Sequence, residues 1–235
     1  MSKSNLEILS YEPSPLGTLC LRRRELLSRP GTLVTEVTLD HEFLMSSLYI
    51  ESEQALARTA IEMHAGDDLR VLIGGLGLGY TAQEALLPDR VAHVEVVELL
   101  PQVIDWLKSG LLPLSSELND QARLAIIEGD VYQRLAGPPA GQHDELHDVI
   151  LIDVDHSPDE RLGEQSVSFY TKQGLLAARE HLAPNGVLAV WSYAESSPFV
   201  EALRAAFEHV RVEPITYENR LIDEQRTDWL FFARG

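Results

Sequence analysis

The rhythm of apolar and polar positions changes along the chain. Between residues 6 and 40, LEILSYE, GTLCLRRREL and TLVTEVTLD read as short strands. Pro13, Pro15 and Gly17 separate the first from the second, and Pro30 with Gly31 separates the second from the third. They predict a small β unit over residues 1–44. From Ser46 to Met63, SSLYIESEQALARTAIEM carries apolar residues at helical spacing and predicts a helix leading into a second unit, 45–235.

Beyond that helix the pattern alternates. LRVLIGG (69–75), VAHVEVVEL (91–99), ARLAIIEGD (122–130), DVILIDV (148–154) and GVLAVWSY (186–193) are β-branched runs. Helical stretches separate them: TAQEALL, PQVIDWLKSG, QSVSFYTKQGLLAAREHL and SPFVEALRAAFEHV. Strands apolar on both faces, alternating with helices, imply a parallel sheet covered on both sides. Two closing strands, HVRVEPITY and TDWLFFARG, lie with a loop between them and predict an antiparallel edge pair. The expected fold class is α/β, a Rossmann-type doubly wound, mostly parallel sheet preceded by the N-terminal β unit.

The first sheet strand runs into Gly75, Gly77 and Gly79, a G-x-G-x-G turn. Glycines there let a ligand lie against the backbone beside a helix N-terminus. The second strand ends in Glu98, nineteen residues beyond Gly79, where this fold places a carboxylate on ribose hydroxyls. The third ends in Glu128-Gly129-Asp130; Asp130 is placed either to accept from an adenine amino group or to cap the helix VYQRLA, or both. A dinucleotide fingerprint wants G-x-G-x-x-G. Here Tyr80 stands where a pyrophosphate would be crowded, so an S-adenosyl nucleoside fits better than NAD.

Charge narrows the partners. Nineteen basic and thirty-seven acidic side chains give a net charge of −18, which repels phosphate backbones and argues against nucleic acid. One cysteine, Cys20, excludes an internal disulfide and a multi-cysteine metal cluster, and reads as a buried apolar side chain. No run reaches the roughly 18 apolar residues that span a membrane, and the start lacks a signal-peptide core, so a cytoplasmic protein is expected. Exposed β edges in the N-terminal unit imply a homodimer. The Arg22-Arg23-Arg24 run is expected to be solvated or at an oligomer contact.

In order, VLIGGLGLGYTAQEAL (71–86), VEVVELLPQVIDWL (94–107), IIEGDVYQRL (126–135), DVILIDVDHSP (148–158), Phe169-Tyr170 and HLAPNGVLAVWS (181–192) resemble the spermidine synthase family, within the S-adenosylmethionine-dependent methyltransferase fold class. The resemblance implies adenosyl contacts from the glycine loop, Glu98 and Asp130, and a catalytic aspartate at the end of the fourth strand, Asp153. Three departures stand out. The family's G-G-G-D-G-G loop carries an aspartate for the aminopropyl end of decarboxylated S-adenosylmethionine, and Gly77 replaces it. The family's second loop aspartate, three residues after the first, is His156 here, with Asp155 one residue earlier. The family's Tyr-His-Glu is matched loosely by Tyr49-Ile50-Glu51.

Aminopropyl transfer needs a neutral amine, and an amine is protonated at pH 7. Asp153, Asp155 and His156 supply groups to bind the ammonium, accept its proton and orient the lone pair. Glu51, Asp155 or the Asp159-Glu160 pair is placed to neutralise a distant ammonium, and Tyr170 and Trp191 to form a pocket wall or core. No second cluster completes Asp-x-Asp-His as a metal site, so no metal is expected. The leading expectation is a transferase moving an aminopropyl group from decarboxylated S-adenosylmethionine to a polyamine. A methyltransferase using S-adenosylmethionine itself on a small molecule, which Gly77 favours, and a non-catalytic nucleoside-binding module stay open.

Overall fold

Two consecutive residues with positive φ, Asp40 (+47°) and His41 (+73°), reverse the chain in a two-residue turn. They join β3 (Leu33–Leu39) to β4 (Glu42–Ser46), with Leu39 paired to Glu42. With β1 (Leu6–Ser14) and β2 (Gly17–Glu25), these strands form an antiparallel sheet in the order β1-β2-β3-β4. The structure is a computed structural model, and it describes residues 5–139, 146–154, 157–159, 167–219 and 224–235. β4 was not expected. Neither turn residue is glycine, so the usual sequence mark of such a turn is missing. The expected helix from Ser46 accordingly starts later, as α1 (Glu51–Met63).

The second sheet contains β5 (Leu69–Gly74), β6 (Val91–Glu98), β7 (Leu124–Glu128), β8 (His147–Ile152), β9 (Leu182–Ser192), β10 (His209–Asn219) and β11 (Glu224–Arg234). Among the described residues its order is β10-β11-β9-β8-β5-β6-β7. The β5/β6, β6/β7, β5/β8 and β8/β9 pairs are parallel, while β11 pairs antiparallel with β9 and β10. The antiparallel edge pair expected from the sequence is present. Strand order reverses between β5 and β8, the switch point at which this architecture opens a crevice.

Strand alternation divides the core into two layers. Val71, Ile73, Val149, Leu151, Val187 and Ala189 pack toward α1, α2 (Tyr80–Leu86) and α3 (Pro101–Lys108). Leu72, Ile150, Ile152, Leu188 and Val190 pack toward α5 (Val131–Ala136), α6 (Lys172–Arg179) and α7 (Ser197–Ala206). Burying each valine, leucine or isoleucine among them contributes about 1.5–3 kcal/mol. Leu19, Leu21 and Val37 of the N-terminal sheet join the first layer, and Trp106 Nε1 donates to Glu12 Oε1 at 3.2 Å. The short α4 (Ser115–Asn119) was not expected. Of the helix expected over 165–182, α6 is the α-helical part among the described residues, and Thr171 caps it by accepting from Gly174 N at 3.2 Å. Cys20 is buried, as expected. The arginine run is engaged: Arg22 and Arg24 each pair with one oxygen of buried Glu36, and Arg23 donates to Leu111 O.

His147, at the start of β8, is 3% exposed, and its Nδ1 is buried without a hydrogen-bond partner among the described residues. Burial, with Arg134 and Arg70 adding, pushes its pKa down to about 3. The folded pKa lies below the ordinary 6.5, so the neutral ring's stability is complete above pH 6.5 and is lost as pH falls from there toward 3. Thermal melts at pH 7 and pH 5 should show a smaller acid-induced drop for His147→Leu than for the parent chain. Equal drops would remove His147 as the source.

Candidate active site

The chain leaves β5 through a loop that only glycine can follow at two points. Gly75 has φ +91°, and a Cβ there would lie 2.2 Å from the Asp153 carbonyl oxygen. Its N–H donates to Val97 O at 2.9 Å, and Asp153 N donates back to Gly74 O at 3.0 Å. The ends of β5, β6 and β8 are thereby drawn together. Gly79, at φ +95°, caps α2, and a Cβ there would meet Leu118 Cδ1 of α4 at 2.5 Å. Gly77, at φ +52°, has Met45 Sδ alone near its Cβ position among the described residues, at 3.6 Å.

Glu98 ends β6 and is 7% exposed. Its Oε2 accepts from Leu76 N and its Oε1 from Leu100 N, both at 2.8 Å. Burial pushes its pKa up, against the backbone amides of Leu100, Leu76, Gly77 and Leu99, which hold it down. A carboxylate offers about four acceptor positions, and these backbone amides compete for them with any hydroxyl donor in the cavity. Asp130 caps α5, with Oδ1 accepting from Tyr132 N at 2.8 Å and Gln133 N at 3.2 Å.

Gly75, Gly77, Gly79, Glu98 and Asp130 line one cavity of about 780 Å3. That volume lies in the range of small-molecule sites. The same cavity is lined by Asp153, Glu53, Asp228, Tyr80, Trp191 and Tyr217. Asp153 Oδ2 accepts from Thr81 Oγ1 at 2.6 Å. Burial pushes the Asp153 carboxyl up to about 6, with Asp228 adding and Thr81 opposing. Burial also pushes Glu53 up to about 8, and the Asp153 and Asp228 carboxylates add to it. Asp228 is raised by burial, and Tyr217 by burial and then by the charges of Asp228 and Glu53. Tyr49 stacks on Tyr217 with centroids 5.1 Å apart. The result is a deep acidic wall faced with aromatic rings, which suits a cation with an apolar body.

The predicted residues divide accordingly. The glycines, Glu98, Asp130 and Asp153 converge on the cavity. Asp155 and His156 lie outside the described residues. Glu51 is exposed, accepts from Ile50 N at 2.9 Å, and is not among the cavity-lining residues. Tyr170 is buried among Tyr132, Phe169 and Phe199, its hydroxyl 3.1 Å from that of Tyr132, and it too stands apart from the cavity lining. Glu53 and Asp228 were missed, although each left a signal. Glu53 is three and four residues before buried Leu56 and Ala57, on the apolar stripe of α1. Asp228 precedes Leu230 and Phe232 at strand alternation, in the core-facing row.

Comparison with known proteins gives a consistent result. No family model matches the chain. It is 32% identical over 127 residues to a polyamine aminopropyltransferase 2 of Streptomyces coelicolor, and 32% identical over 124 residues to a polyamine aminopropyltransferase of Mycobacterium tuberculosis. These matches take in 53% and 51% of this chain but only 22% of each relative's length. Among solved structures, a spermidine synthase in complex with the transition state analogue AdoDATO superposes with a TM-score of 0.74 at 20% identity, covering 97% of this chain and 73% of that one. A spermidine synthase from Thermotoga maritima gives 0.72 at 20% identity, over 97% and 72%. The chain has the fold of these spermidine synthases.

In this spermidine synthase-like fold, Glu98 both builds the loop and lines the cavity. Glu98→Gln turns one amide acceptor into a donor facing a backbone N–H. Leaving such a buried donor unsatisfied costs about 1–3 kcal/mol. The variant should lose that much stability in denaturant melts and also bind adenosyl nucleosides roughly ten- to hundredfold more weakly by calorimetry. Unchanged affinity would separate Glu98 from the nucleoside site.

Proposed function

We propose that the chain is a transferase moving an aminopropyl group from decarboxylated S-adenosylmethionine to an amine of a polyamine, with Asp153 as the base. One observation carries this reading: the glycine-loop cradle with Glu98, and the carboxylates of Asp153, Glu53 and Asp228, line the same cavity. The cradle suits an adenosyl nucleoside, and the acidic wall suits ammonium groups. The names of the relatives agree with that assignment.

In the proposed step the amine nitrogen attacks the carbon beside the sulfonium. The C–S bond breaks with its electron pair going to sulfur, leaving methylthioadenosine. Before attack the incoming ammonium gives a proton to Asp153, which frees the nitrogen lone pair. Thr81 fixes one oxygen of that carboxylate at 2.6 Å, which leaves the other oxygen as the acceptor. A base with a pKa near 6 is ionised at neutral pH and is better matched to a proton transfer than an ordinary aspartate. Alignment against the already activated sulfonium supplies the rest of the acceleration.

Methyl transfer from S-adenosylmethionine is the second reading, and Gly77 is what favours it. Asp153→Asn should reduce aminopropyl turnover by roughly a hundredfold or more, and should abolish the acid limb of the pH–rate profile, expected near pH 6. Nucleoside affinity should hardly change. Full activity in that variant would end the role of Asp153. Tighter binding of S-adenosylmethionine than of its decarboxylated form would favour methylation.

We further infer a homodimer formed through the N-terminal sheet. Tyr11, Cys20, Thr38 and Phe43 are paired across its strands and so share a face, and Tyr11 and Phe43 are 57% and 59% exposed on it. Sedimentation of the chain and of a Tyr11→Lys, Phe43→Lys variant tests this: a dimer that becomes monomeric is the expected result, and an unaltered dimer would move the interface elsewhere.

A further inference from the structure

Ser52 lies in α1, 2% exposed, between the two acidic side chains that the proposed step does not use as a base. Its hydroxyl has three partners: Trp191 Nε1 at 3.0 Å, Asp228 Oδ2 at 2.7 Å and Glu53 Oε2 at 3.0 Å. An indole N–H only donates, so Trp191 occupies one of the hydroxyl's two lone pairs. The hydroxyl has a single proton, which serves one carboxylate. With both acids ionised, the remaining contact would set a lone pair against a buried carboxylate. A proton on one of the two acids resolves the conflict, because that acid then donates to the hydroxyl's second lone pair.

The surroundings decide which acid holds it. Asp228 has the shorter contact, at the length of charge-assisted O–H···O⁻ bonds. It also accepts from the Tyr217 hydroxyl, and the Arg226 guanidinium lies near it. Glu53 is held by its own backbone N–H and by Ser52. The groups facing it are Asp153 from the end of β8, Asp228 from β11, Tyr217 from β10 and Tyr80 from α2. Arg226 of β11 and Glu51 of its own helix act on Asp228 rather than on Glu53 itself.

We propose that Ser52 is a positioning residue that assigns the shared proton to Glu53 and keeps Asp228 ionised. The wall beside Asp153 then meets an ammonium group with an anion at Asp228 and a neutral carboxyl at Glu53. A cation entering there lowers the proton affinity of Glu53, so binding releases a proton to solvent. The placement of the proton stands on geometry alone, while its use in amine capture rests on the aminopropyl-transfer reading.

The test uses the whole chain with 13C-labelled glutamate and aspartate carboxyls, titrated by NMR. Glu53→Gln and Asp228→Asn spectra assign the two signals. Glu53 should titrate at least about one pH unit above Asp228, a tenfold difference in proton affinity. Ser52→Ala should shrink or invert that gap, and Ser52→Thr, which restores a hydroxyl, should keep it. An Asp228 that titrates above Glu53 in the parent chain overturns the proposal with no variant needed, and so does a gap that Ser52→Ala leaves intact. Calorimetry with 1,4-diaminobutane at pH 7, in phosphate and in Tris, then counts protons. Release on binding is expected. Binding without release overturns the coupling, whereas no binding with the gap intact counts against the amine reading and leaves the role of Ser52 standing.

Discussion

A carboxylate buried at the end of a central strand would ordinarily cost several kcal/mol, and Glu98 offsets that cost by closing two loops at once. The chain leaves β5 toward α2 and leaves β6 toward α3, and both exits expose backbone N–H groups away from solvent. Leu76 N and Leu100 N meet one Glu98 oxygen each, at 2.8 Å. Without this acceptor two buried amides would be left unpaired, at about 1–3 kcal/mol each. The loops would then part at the place where the floor of the cavity is built. The positive φ of Gly75 depends on the same closure, because its backbone must pass against the Asp153 carbonyl to bring Leu76 within reach of Glu98.

That closure aligns two independent sets of groups along one cavity. One set comes from the carboxyl ends of parallel strands, as the doubly wound architecture requires. The other comes from α1 and β11, elements that flank the parallel strands. Ser52 and Trp191 join them: the indole of β9 reaches the hydroxyl of α1, which reaches the carboxylate of β11. A protein with a net charge of −18 has little long-range field to stabilise further buried anions. Local hydroxyls therefore carry that burden, Thr81 for Asp153 and Ser52 with Tyr217 for Asp228.

The parallel core was legible because β5 and β8 are buried on both faces over Val71–Gly74 and Val149–Ile152, and continuous apolar runs report that directly. The glycine loop and Glu98 were legible because backbone sterics and strand position constrain residue type there. The Asp40–His41 turn was not, since positive φ in two non-glycine residues leaves no compositional mark. Glu53 and Asp228 were overlooked for a different reason. Each sits in a correctly read element and violates its apolar pattern, and such violations mark function more often than error. Tyr170 read as pocket wall or core, and it packs in the core beside Phe199.

Gly77 and the acidic wall pull the choice of nucleoside in opposite directions, and magnitudes decide between them. Gly77, where the sequence resemblance implies an aspartate, removes one repulsion against a methionine carboxylate, but it supplies no attraction in return. Two like charges about 6 Å apart, at an effective dielectric constant of about 20, repel by about 3 kcal/mol. Asp153 and Asp228 each present such a charge to the cavity once ionised, and Glu53 adds a third as its proton leaves. Decarboxylation removes the methionine carboxylate and leaves the ammonium, which the same charges attract. On the proposed aminopropyl-transfer reading the wall outweighs the missing loop carboxylate, and by more as pH rises and Glu53 ionises.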